Sequence, residues 1–115
     1  MYSKEFDSIV EERVSKIIST LADKDAEYES ENDRLHNFKK AGEILEITPE
    51  EALMGMQAKH IVSVLDLVGV INDLKEDEIL DTTKEYVSKK IGDTINYFIL
   101  LEALIYERLN KEVIS

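Results

Sequence analysis

Apolar residues recur along this chain at intervals of three and four, the mark of helices with one buried face. Phe6, Ile9, Val10, Val14, Ile17, Ile18 and Leu21 follow that spacing and predict a helix from about Lys4 to about Ala22, with an extension to Tyr28 as the alternative. Glu5, Glu12, Ser15, Lys16 and Ser19 fall on its opposite face. A second helix is expected from about Asp33 to Leu45, with Asn32 or Asp33 as N-cap and Leu35, Phe38, Ala41 and Leu45 inward. The clearest start signal is Thr48-Pro49-Glu50-Glu51. Threonine caps, proline suits the first helical position because it has no N–H to leave unbonded, and Glu51 reaches back to close a capping box. This third helix continues through Leu53, Met56, His60, Ile61, Val64, Leu65 and Val68 to about Val70. The fourth is expected from about Thr83 to Asn110 or Lys111, capped by Asp81 or Thr82. Val87, Ile91, Ile95, Phe98, Leu101, Ile105 and Leu109 form its main stripe, widened by Leu100 and Leu104. The connectors are acidic: residues 23–33 read DKDAEYESEND, and residues 69–81 end in a stretch from Glu76 to Asp81. No strand alternation or internal repeat interrupts this pattern. The chain therefore reads as one all-α domain over residues 1–115, a bundle of about four helices with a long C-terminal helix.

Length adds an expectation about assembly. A final helix of about 28 residues is about 42 Å long, whereas a compact chain of 115 residues has a radius of gyration of only about 13 Å. Such a helix overhangs a single-chain bundle, and its wide apolar surface calls for a homodimer or a higher homo-oligomer. A kink near Gly92 is the alternative.

Composition narrows the partners. The chain is 43% hydrophobic and 34% charged, which suits a globular protein. Fourteen basic residues against 25 acidic ones give a formal charge of −11, which disfavours duplex nucleic acid bound through its phosphates. A small anion can still find a locally positive pocket. The absence of cysteine excludes disulfides, iron–sulfur clusters, thiolate zinc sites and cysteine nucleophiles. No unbroken apolar run approaches a membrane span of roughly 18 residues, and no basic-then-apolar leader opens the chain. A soluble, intracellular protein with no membrane partner is expected.

Two helices carry polar residues beside their apolar stripes. On the third these are Lys59, Ser63 and Asp66, with His60 adjacent; on the fourth they are Tyr86, Lys90, Asp93 and Tyr97, flanked by Asn96. Each row reads either as a solvated face with local ion pairs, such as Lys90 with Asp93, or as one wall of a cleft. Lysine suits phosphate oxygens, a pair of aspartates suits Mg²⁺, and tyrosine can stack on a base. Arg34 could clamp phosphate and Asn37 could read a base edge, although both also fit an ordinary helix start. Asp23 and Glu27 share a helical face and form a weaker metal candidate. The chain has no phosphate-binding glycine loop, no HExxH, no nucleophile elbow and no histidine pair at zinc spacing.

These strings resemble a known family. Lys24-Asp25-Ala26-Glu27-Tyr28, Asp33-Arg34-Leu35-His36-Asn37-Phe38, Ile47-Thr48-Pro49-Glu50-Glu51-Ala52, Lys59-His60-Ile61-Val62-Ser63-Val64-Leu65-Asp66 and Lys90-Ile91-Gly92-Asp93-Thr94-Ile95-Asn96-Tyr97 look like the phage-associated nucleotide-modification-associated domain 1 family over about residues 15 to 108. A more distant resemblance is to the MazG-type all-alpha nucleoside triphosphate pyrophosphohydrolases, which hold Mg²⁺ with E-x-x-E and E-x-x-D. Here Ser63, Asp66, Lys90 and Asp93 stand at those positions, so serine and lysine replace two carboxylates.

The resemblance implies a phage protein in the cytoplasm of an infected bacterium, MazG-like in fold. It would act on or sequester a nucleotide or nucleotide-derived signal, in an anti-defence or hydrolase-like role. In that reading Lys24, Tyr28, Arg34, Asn37, Lys59, His60, Ser63, Lys90, Asn96 and Tyr97 contact the ligand, and Asp66 and Asp93 hold Mg²⁺. Whether it is an enzyme stays open. The alternative is an acidic helical protein-interaction module that inhibits a host defence or nucleic-acid-binding protein.

Overall fold

The computed structural model describes residues 1–22 and 33–114 and divides the chain into two units, Met1–Asp33 and Arg34–Ser115. The regular structure among the described residues is helical: α1 (Ser3–Leu21), α2 (His36–Leu45), α3 (Pro49–Asp73) and α4 (Asp81–Ile114), with a 3-10 turn at Glu76–Glu78. The all-α class and the long last helix follow the periodicity.

α1 carries the expected stripe, yet none of its residues is buried, and Phe6, Ile9, Val10, Val14 and Ile18 are exposed. Among the described residues of its unit, α1 is the one helix, so no second helical surface closes over its apolar face.

In the second unit, α2 packs on α3 and α3 packs on α4. Glu50 meets Arg108 while Gln57 meets Thr94, so α3 and α4 run antiparallel. Leu35, Phe38, Leu53 and Leu104 form the core, with Met56, Tyr97, Leu100 and Leu101 packed around it. α2 has 10 residues, about 15 Å, against about 37 Å for α3 and about 51 Å for α4. It therefore covers one end of the α3–α4 pair. Several positions expected inward are exposed: Leu45, Leu65, Val68, Phe98, Ile105 and Leu109. Their stripes are wider than the neighbours that cover them, and on α4 it is Leu104 that becomes buried.

The helix ends show how local chemistry sets boundaries. Thr48 Oγ1 accepts from the Glu51 N–H at 3.1 Å and Glu51 Oε1 accepts from the Thr48 N–H at 3.1 Å, completing the expected box. α2 starts at His36, after an N-cap Leu35 that makes no side-chain cap bond, so Asp33 does not take that role; Asn32 lies outside the described residues. At the start of α4 it is Thr83 Oγ1 that accepts a backbone bond, from Leu80 N–H at 3.2 Å. α3 continues past Val70 to Asp73.

α2 ends in a Schellman turn. The Ile47 N–H donates to the Gly42 carbonyl at 2.9 Å and the Glu46 N–H to the Glu43 carbonyl at 3.4 Å. Glu46 sits in the left-handed region at φ 59° and ψ 42°, where a Cβ is unfavourable and glycine is not. Glu46→Gly is expected to raise stability by about 0.5–1 kcal/mol, read as a higher urea midpoint at unchanged slope. A lower midpoint would mean that the Glu46 side chain supports the turn.

α3 is also long and apolar enough to cross a membrane by length and composition, and only 11% of its most apolar window is buried. Lys59 and Asp66 interrupt it. Its outward face is thus nearly as apolar as its inward one, which run length alone does not reveal.

Candidate functional site

Of the residues singled out for ligand binding, Lys24 and Tyr28 lie outside the described residues, as does the Asp23 and Glu27 pair. Arg34 and Asn37 are exposed at the turn into α2 and on its first turn. On α3, Lys59 and Asp66 are exposed, whereas His60 and Ser63 are half-buried. On α4, Lys90, Asp93, Asn96 and Tyr97 are all half-buried.

The fold brings His60 and Tyr97 together, with ring centroids 4.4 Å apart and planes tilted by 39°. Phe38 from α2 meets the same tyrosine edge-on at 5.9 Å. Asp93 and Lys90 precede Tyr97 by four and seven residues and share its face of α4. Ser63 and Leu67 follow His60 by three and seven and share its face of α3. Because the helices are antiparallel, the two rows run side by side away from α2. The Lys90 ammonium leans over the Tyr86 ring, 5.4 Å from its centroid. Among the described residues no ion pair joins Lys90 to Asp93.

Two residues under this row escaped the sequence reading. Gln57 is fully buried, and its Nε2 donates to the Thr94 carbonyl at 2.9 Å. Thr94 Oγ1 donates to the Lys90 carbonyl at 3.0 Å, with the His60 carbonyl at 3.5 Å. Gln57 lies four residues after Leu53, at a core position of the α3 period, and a polar residue there is the signal that could have found it. Gln57 Oε1 and Asn96 Oδ1 are buried acceptors without a hydrogen-bond partner, an arrangement that costs stability unless something donates to them. No three His, Asp or Glu side chains among the described residues gather into a metal-holding group.

A second feature lies at the other end of the pair, where α2, the start of α3 and the end of α4 enclose an open groove of about 540 Å³. Its cations are taken up by the protein's own carboxylates. Arg108 forks onto Glu50 at 2.8 and 2.7 Å, and Lys39 and Lys111 reach Glu107 at 2.7 and 3.2 Å. The hydrogen bonds from Arg108 hold the Glu50 carboxyl below the usual carboxylate range, and those from Lys39, then Lys111, do the same for Glu107. This cluster ties the three helices together and lies away from the rows at His60 and Tyr97.

Comparison of the chain with protein-family models, curated proteins and solved structures finds no match.

Proposed function

We propose that the second unit binds a nucleotide or nucleotide-derived small molecule along the row that starts at His60 and Tyr97. The observation that carries this reading is a half-buried lysine and aspartate, three residues apart on the face of the aromatic pair, with no ion pair between them. On an ordinary helix face such a pair closes at small gain; here both charges stay available. A base stacks at Tyr97 and His60, and Lys90 meets phosphate as a compact point charge. Ser63 orients the ligand. Mg²⁺ takes one or two carboxylates from a protein when substrate phosphates and water complete its shell. Asp93 is the carboxylate on this row; Asp66, Lys59, Arg34 and Asn37 are exposed and take no part in it. One inward carboxylate supports binding more directly than metal-dependent hydrolysis, so sequestration of a nucleotide signal is the favoured role.

The test is a thermal-shift panel of nucleotides, cyclic nucleotides and deoxynucleotides, with and without Mg²⁺. A ligand at a hundredfold excess over its Kd stabilises the folded state by about 2.7 kcal/mol. Lys90→Ala and Asp93→Ala are expected to abolish the shift while moving the unliganded Tm by no more than about 2 °C. Ligand recovered unchanged identifies a binder, and released pyrophosphate identifies a hydrolase. A flat panel overturns the proposal.

The exposed apolar stripe of α1 and the charge of −11 favour a second reading, an acidic helical interaction module. It requires a salt-sensitive complex with a basic protein together with that flat panel.

A further inference from the structure

We infer that the outward face of α3 is the interface of an antiparallel homodimer. Gly55, Ala58, Val62, Leu65 and Gly69 follow steps of three, four, three and four, the seam of a heptad pattern. Val62 is 54% and Leu65 66% exposed, and nothing lies within 4 Å of a Cβ built on Gly55 or Gly69. Leu53, Gln57 and His60, which meet the core and α4, lie on the opposite side of the helix. The seam is therefore separate from the core and from the proposed nucleotide row, and the inference does not rest on that row.

The charges say what covers it. Between Glu51 and Asp73, α3 carries only Lys59 and Asp66 as lysine, arginine or acidic residues. Both are exposed, both flank the seam on the same side, and neither joins an ion pair among the described residues. Seven residues separate them by about 10.5 Å of rise, too far to pair with each other. In a parallel dimer this flank would face Met54, Ile61 and Val68 on the other flank, leaving both charges without a partner. In an antiparallel dimer like flanks meet. The register that lays Val62 on Leu65 of the partner subunit and Ala58 on Gly69 of the partner subunit also brings Lys59 beside Asp66 of the partner subunit, twice over. A slip of one heptad in either direction sets lysine near lysine or aspartate near aspartate. Orientation and register are thus selected by the same two charges, while the small residues at the ends let the helices approach closely.

Sedimentation velocity on the full chain, over a range of micromolar concentrations, tests this. The wild type is expected to dimerise. Lys59→Glu and Asp66→Lys should each weaken the dimer by about tenfold, because each reversal is felt at two symmetric pairs. Both side chains are exposed, and unchanged far-UV dichroism checks that the fold persists. Mixing the K59E and D66K chains should restore dimers to wild-type strength, since opposite charges then meet at both positions; the double variant should do the same. A monomeric wild type overturns the inference, as does a dimer indifferent to the reversals or not recovered by mixing. A wild type that is monomeric in solution but floats with phosphatidylglycerol vesicles assigns the face to a lipid surface instead.

Discussion

Replacing Leu53 with alanine is expected to cost the second unit about 3–4 kcal/mol, near the middle of the range for buried leucines. Leu53 is completely buried and belongs to a core of four buried residues with Leu35, Phe38 and Leu104. Truncation forfeits the transfer free energy of the lost carbons and leaves a cavity at the meeting point of three helices. Helical backbone on all sides limits how far the neighbours can collapse into it. Because domains of this size are stable by only about 5–15 kcal/mol, the loss is a large share of the total. Urea unfolding reads it directly. Leu45→Ala makes the same chemical change at a residue 61% exposed on α2, and should stay within about 0.5 kcal/mol of the wild type. A Leu53→Ala variant that loses no more than its Leu45 counterpart would show that the three-helix core is not what holds this unit together.

Gly42→Ala is expected to destabilise by about 2 kcal/mol, although helix propensity alone argues for a gain of about 1 kcal/mol from removing an interior glycine. The sign decides between the two effects. A Cβ at Gly42 would stand 2.8 Å from the Ile47 carbonyl oxygen, 3.1 Å from the Pro49 nitrogen and 3.2 Å from the Thr48 carbonyl carbon. All three are backbone atoms. They are held by the Schellman bonds of α2 on one side and the Thr48–Glu51 capping box on the other, so no side chain can swing away to make room. The α2–α3 turn must open, and opening it shifts Phe38 relative to Leu53. A lower urea midpoint confirms the close approach, and a higher one would mean the turn yields easily.

The two surfaces of α3 have separate consequences. The inward face supplies His60 and Gln57 beneath the proposed nucleotide row, and the outward face supplies the proposed dimer seam. Reversing charges at Lys59 and Asp66 should alter association without reaching Lys90 or Asp93, so ligand shifts in the K59E chain separate the two proposals.

Much of this architecture was legible in the chain. Apolar spacing placed all four helices, and Thr48-Pro49-Glu51 placed the start of α3 because a capping box is made from atoms within four residues. The polar rows were legible for the same reason: His60 with Ser63, and Lys90 with Asp93 and Tyr97, share faces by helical spacing alone. Spacing cannot say which neighbour, if any, a face receives. Leu65, Val68, Phe98, Ile105 and Leu109 have the period of core residues and remain exposed, because the apolar stripes of α3 and α4 are wider than the helices packed against them. The bond from Gln57 to Thr94 spans 37 residues, the Arg108–Glu50 fork 58 and the Lys39–Glu107 pair 68. The close approach at Gly42 likewise exists only once α2 has turned back into α3. Local periodicity and capping determined the helices and the composition of their faces. The docking of α2, α3 and α4 alone decided which faces are buried, which polar groups meet and which apolar surface of α3 stays exposed.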